Sequence, residues 1–143
     1  MRKDERPEGS SVGRLKRRAD FLRVAAVRRK WAAPGLILQV AVQPQPSSEG
    51  SAEDAIPPES IPETIRVGFT ASRRVGNAVK RNRARRRLKA LVREMIATGA
   101  NPGLDLVLIA RPATVDRPFE ELRRDLQQSL QRTKAARKRP DPH

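Results

Sequence analysis

The sequence predicts an α+β domain, with helices packed on one sheet, and three patterns predict it. Residues 35–42 and 104–110 are short apolar runs. Residues 65–71 alternate with period two. Residues 78–97 and 117–133 carry apolar stripes at helical spacing. With a shorter stripe at residues 18–27, the order is helix, strand, strand, helix, strand, helix, which gives a sheet covered by helices.

The first helix, 18–27, takes its apolar side from Phe21, Leu22, Val24 and Ala25, with Asp20 near its start. The run at 35–42 reads as a buried strand, and 65–71 reads as a strand with one face covered. A turn is expected around Val75, Gly76 and Asn77. In the long helix, Ala84, Leu88, Leu91, Val92 and Met95 fall on one stripe. Asn82, Arg83, Arg86, Lys89 and Arg93 fall on the other side. Gly99 and the Asn101, Pro102, Gly103 turn end it. The run at 104–110 reads as an interior strand. The last helix turns Phe119, Leu122, Leu126 and Leu130 inward. Asp116 is its expected N-cap and Pro118 suits its first turn.

A chain of 143 residues suits a single domain. Residues 1–13 are expected to form a flexible N-terminus, 14–133 the domain, and 134–143 a flexible basic tail. Within the domain, residues 44–63 carry five acidic groups, no basic group and five prolines. Such a segment buries too little apolar surface to offset its ordering entropy, so a flexible loop between two strands is expected.

Charge and composition narrow the function. The formal net charge is +15, which attracts polyanions and says little about fold. There is no cysteine, so disulfides are excluded and a structural zinc site is disfavoured. The single histidine, His143, is the last residue, so acid–base catalysis by histidine has no credible group. No apolar run is long enough to span a membrane, and residues 1–13 lack the apolar segment of a secretory signal. A cytoplasmic location is the default expectation.

Residues 73–93 hold ten basic groups and no acidic one. An ordinary solvated helix face would mix signs, because like charges at i,i+4 destabilise a helix. Here Arg81 and Arg85, Arg85 and Lys89, and Lys89 and Arg93 are all like-charged pairs. An external polyanion relieves that repulsion. Arginine dominates the segment, and its planar fork engages two phosphate oxygens and stacks on bases. A membrane-surface helix would carry bulky apolar groups opposite its charges. This one carries Ala84, Leu88 and Met95 between strands, so its apolar side belongs on a sheet.

The string RVGFTASRRVGNAVKRNRARRRLK at residues 66–89 resembles the signature of bacterial ribonuclease P proteins. Its core is Arg81-Asn82-Arg83, preceded by Gly76 to Val79 and followed by Arg85 and Arg86. Weaker similarity lies at residues 14–21, and in the strand at 104–111 followed by Pro112. The resemblance implies a single-domain αβββαβα sandwich similar to ribosomal protein S5 domain 2, with a left-handed crossover through the basic helix. General chirality rules would favour a right-handed one. That order has one strand more than the count above, and a short piece near residues 73–75 is the candidate.

The resemblance also implies a function. The protein would be a subunit of ribonuclease P, binding the catalytic RNA and the 5′ leader of precursor tRNA. Cleavage chemistry and Mg2+ would reside with the RNA, with no catalytic residue and no cofactor on this chain, and with no obligatory protein partner and no membrane. Arg73, Arg74, Asn77, Arg81, Asn82, Arg83, Arg85, Arg86 and Lys89 are the candidate RNA contacts. Phe21 is the candidate leader contact, in a cleft between the first helix and the sheet, against the alternative of an ordinary core position. Further aromatic positions of that cleft fall on Ala25 and Gln39 here. Trp31 belongs to the core or the cleft rim.

Three other functions fit less of the sequence. A ribosomal or RNA-chaperone protein explains the charge and not the ordered motif. A helix–turn–helix regulator needs a helix upstream of Ala78, where a strand is predicted. An RNA-recognition-motif sheet needs strand aromatics that are missing.

Overall fold

The computed structural model describes residues 11–44 and 64–136. In chain order the elements are β1 (Ser11–Arg14), α1 (Arg18–Val27), β2 (Arg29–Ala32), β3 (Leu36–Val42), β4 (Thr64–Thr70), α2 (Ala78–Gly99), β5 (Leu104–Ala110) and α3 (Phe119–Arg132). Short 3-10 turns, Arg73–Val75 and Pro112–Val115, lead into α2 and α3. From α1 onward this is the αβββαβα order, with β1 added in front.

The sheet order is β1-β4-β5-β3-β2. β4 is parallel to both β1 and β5, while β3 is antiparallel to β5 and β2. The most completely buried strand, β5, lies at the centre, where both faces are covered and alternation is not needed. The short basic strands β1 and β2 lie at the edges, where charge discourages pairing with other chains.

Side-chain alternation splits the core in two. Ile65 and Val67, Leu104, Leu106 and Leu108, and Leu36, Leu38 and Val40 face α2 and α3, meeting Ala84, Leu88, Leu91, Leu122 and Leu126. Fully burying each leucine stabilises the fold by about 1.5–3 kcal/mol. On the opposite face α1 packs alone, placing Val24 and Phe21 with Leu15, Ala41, Val107 and Ile109.

Gly68 makes room for α1. A β-carbon there would lie 2.5 Å from Cζ and 2.6 Å from Cε1 of Phe21. Gly68→Ala is therefore expected to destabilise by about 1–3 kcal/mol through overpacking. Adding Phe21→Leu should recover most of that loss. Urea midpoints that stay unchanged in the single variant would show that the ring has room to move.

Several expectations are corrected. Ser11–Arg14 is a strand, so the domain begins within the segment assigned to a loose N-terminus. Past residue 133, Ala135 is buried and Ala136 bridges Ala100, so the start of the expected tail is packed. The strand left uncounted is Arg29–Ala32, whereas Arg73–Val75 is a 3-10 turn. Asp116 ends the second 3-10 turn, and Pro118 is the residue that precedes α3. On α1, Leu22 and Ala25 are exposed, because among its apolar residues Phe21 and Val24 are the ones packed on the sheet. The rest of the expected loop and both outer termini lie outside the described residues.

Candidate nucleic-acid interface

The turn from β4 into α2 is built to start a helix abruptly. Ser72 accepts from the Arg74 amide at 3.3 Å, and Gly76 adopts φ 141°. A side chain at Gly76 would be strained there and would meet Lys80. Asn77 is the N-cap of α2; its Oδ1 accepts from the Lys80 amide at 3.0 Å. Asn77 thus has a structural task in addition to any contact outside the protein. Arg73 and Arg74 are exposed on this turn, beside the positive end of the helix dipole.

Along α2 the arginines separate into two sets. Arg87 turns inward and donates through Nη1 to the carbonyls of Thr114 and Val115, at 2.7 and 3.0 Å. Its Nη2 donates to the Arg117 carbonyl at 2.6 Å. Burial, then repulsion from Arg83, pushes Arg87 below the ordinary arginine pKa, with Asp116 opposing. Arg83 anchors through Nε on the Val115 carbonyl at 3.0 Å, although it is exposed. Arg81 donates to the Gly76 carbonyl at 2.9 Å, bracing the turn.

The other set faces outward. Asn82 and Arg86 are exposed, and Arg85 donates to Asn82 Oδ1 at 3.1 Å. Lys89 lies 6.0 Å from the Phe69 ring centre, on the side nearest β1. Among the described residues, no carboxylate forms an ion pair with any basic residue of 73–93. The one acid of α2, Glu94, is taken by Arg123 of α3.

The α1 face differs in character. Phe21 is half-buried over Gly68, and Gln39 and Ile109 share this side of the sheet. Ala25 points outward, so of the two replaced cleft positions only Gln39 lies on the sheet surface. At the N-terminal end of α1 a polar recess of about 470 Å3 is lined by Arg14, Lys16, Arg17, Asp20, Pro44 and Arg66. One of these, Arg66, is held by Asp105, which is fully buried. Arg66 donates to both carboxylate oxygens at 2.8 and 2.7 Å, and Arg23 of α1 donates to the same carboxylate. The hydrogen bond to Asp105 raises the pKa of Arg66.

Trp31 is half-buried on β2, with the Arg132 guanidinium 4.9 Å from its ring centre. It therefore packs at the foot of α3, away from the α1 face. Arg29 caps the end of α3 by donating to the Thr133 and Lys134 carbonyls at 2.6 and 3.1 Å.

Carboxylates of the described residues are mostly spent on arginines: Asp105 on Arg23 and Arg66, Asp125 on Arg117, Glu94 on Arg123. No cluster of three histidine or carboxylate groups suited to a metal ion occurs among them. No described helix is long and apolar enough to cross a membrane.

A family model described as Ribonuclease P matches residues 11–134, from the first strand to just past the last helix. The chain belongs to the ribonuclease P protein family. A ribonuclease P protein component of Paramagnetospirillum magneticum is 50% identical over 127 residues, covering 89% of this chain and 86% of that protein. One from Ruegeria pomeroyi is 41% identical, covering 88% and 90%. Among solved structures, the RNase P protein of Staphylococcus aureus aligns with a TM-score of 0.62 at 20% identity, over 87% of this chain and 97% of that one. That of Thermotoga maritima aligns at 0.59 and 20% identity, over 80% and 92%. At such identity the structures speak for the fold alone.

Within this ribonuclease P family member, two residues that organise the site are absent from the candidates drawn from sequence. Arg87 is three residues after Ala84 and four before Leu91, both buried, so its spacing pointed inward. Asp105 is a lone acid in an apolar strand, a residue type rarely buried without a partner.

Proposed function

We propose that this chain is the protein subunit of a ribonuclease P. On this reading it binds the ribonuclease P RNA through α2 and the preceding turn, and assists removal of the 5′ leader from precursor tRNA. The observation that carries the reading is the outward set on α2. Crowded cations, with no carboxylate pairing them among the described residues, form a surface complete only against a polyanion. Family membership makes the ribonuclease P RNA that polyanion.

Arg73, Arg74, Asn82, Arg85, Arg86 and Lys89 are assigned direct RNA contact. Arg81, Arg83 and Asn77 combine contact with holding the turn and helix in place. Cleavage is assigned to the RNA together with Mg2+. On this reading no step runs through the chain's own side chains. The protein's contribution is charge neutralisation and positioning.

The leader is assigned to the α1 face, where Phe21 is partly exposed and Arg17, Lys16 and Arg66 line the nearby recess. Base stacking on an aromatic side chain contributes about 1–3 kcal/mol. Phe21→Leu is expected to reduce the holoenzyme's preference for precursor over mature tRNA by several-fold. An unchanged ratio of the two dissociation constants would return Phe21 to a purely packing role.

The deciding experiment is reconstitution with the ribonuclease P RNA of the same organism. The protein should permit cleavage of precursor tRNA at magnesium concentrations where the RNA alone is slow. Indifference of the rate to added protein would refute the assignment.

A further inference from the structure

The sheet face turned toward α2 carries a second feature, on the opposite side from Phe21. Strand β1 stops at Arg14, level with Val67, and Leu15 closes its last contact with the Val67 carbonyl at 2.9 Å. One step further along the same face β4 presents Phe69, where its outer edge is no longer covered. The result is a recess of about 320 Å3, lined by Val12, Val67, Phe69 and Val92 and rimmed by Arg14, Lys89 and Arg93.

Its composition is unusual for a surface dent. The floor is apolar, and Phe69 is half-buried against the main core. Two cations stand over the aromatic ring: the Arg14 guanidinium at 5.9 Å and the Lys89 ammonium at 6.0 Å from its centre. No acidic residue lines the recess. The rim continues the like-charged Arg85, Lys89, Arg93 stripe of α2, so the recess opens on the same surface as the RNA contacts. Its volume sits at the low end of ligand pockets, about 300–1,000 Å3, which suits one base and no larger group.

An apolar floor with an aromatic ring favours a flat, uncharged ring, and three cations favour a phosphate attached to it. We propose that this recess takes one unpaired nucleotide of the bound RNA, the base against Phe69 and the flanking phosphates on Arg14, Lys89 and Arg93. The inference rests on α2 being the RNA-binding surface, and adds to it a preference for a single-stranded position. Duplex RNA would satisfy the cations and leave the floor empty, because its bases are stacked on each other.

The test uses the full chain, fluorescently labelled hexa-adenylate, and an abasic ribose-phosphate hexamer of equal charge. The wild type should bind hexa-adenylate about tenfold more tightly than the abasic chain. Phe69→Leu, which keeps an apolar floor, should lose several-fold of that preference with an unchanged salt slope. Phe69→Trp in a Trp31→Phe background should retain the preference, and its indole emission should be quenched by hexa-adenylate and not by the abasic chain. Unquenched emission at saturation, undiminished preference in Phe69→Leu, or no binding of hexa-adenylate would each overturn the recess. Filter binding of ribonuclease P RNA by the wild type separates the two ideas. If that RNA binds while the indole stays unquenched, only the recess falls; if it does not bind, the reading of α2 falls with it.

Discussion

Asp105→Ala is expected to lower the unfolding free energy by about 3 kcal/mol, the low end of what breaking a buried ion pair costs. Asp105 is wholly buried, and its carboxylate is the shared anchor of Arg66 from β4 and Arg23 from α1. Removing it leaves two guanidiniums facing each other over an apolar strand. Both are about one-third exposed, so they can swing toward water, which holds the loss near the lower limit. The damage should concentrate on α1, because Arg23 also ties that helix to the Val42 carbonyl at 3.1 Å. Hydrogen exchange should therefore quicken on α1 more than on α2. Pairing the change with Arg66→Met should recover part of the stability, since a lone buried charge costs more than none. A urea midpoint shift worth less than 1 kcal/mol, or exchange quickened equally everywhere, would show that α1 is held by its apolar contacts alone.

The same geometry explains what was legible in the sequence. The interior strands β3, β4 and β5 could be read because burial demands apolar residues at known spacing, and α2 and α3 could be read from their stripes. The edge strands could not. β1 and β2 have four residues each and carry Arg or Lys, since a short, charged strand is what suits a sheet edge. Four residues are too few to show a period. The start of α3 was misplaced because Asp116 is a good cap by type, whereas the 3-10 turn before it uses that position. The charge of α2 identified a polyanion surface. Which arginines face outward was only half visible, because Arg83 and Arg87 find carbonyl partners in a turn some thirty residues away. Phe69 gave no signal, since its recess exists only where β1 happens to end.

Arg86 and Arg87, adjacent in sequence, are expected to fail in opposite ways when replaced by glutamine. Arg86 is exposed and makes no hydrogen bond or ion pair among the described residues. Arg86→Gln should leave thermal unfolding unchanged and weaken binding to the ribonuclease P RNA about tenfold, with the salt slope falling by nearly one charge. Arg87 satisfies three carbonyls of the segment between β5 and α3. Glutamine cannot reach all three, so Arg87→Gln should cost about 2 kcal/mol of stability, as buried acceptors lose donors. Its RNA affinity, measured well below the unfolding temperature, should change little, and its salt slope not at all. Because the two substitutions remove the same charge from neighbouring positions, long-range electrostatics contribute nearly equally to both. Any difference between them in RNA affinity therefore reports direct contact, and equal losses of affinity and slope would mean that α2 acts on RNA through its total charge instead of through its outward side chains.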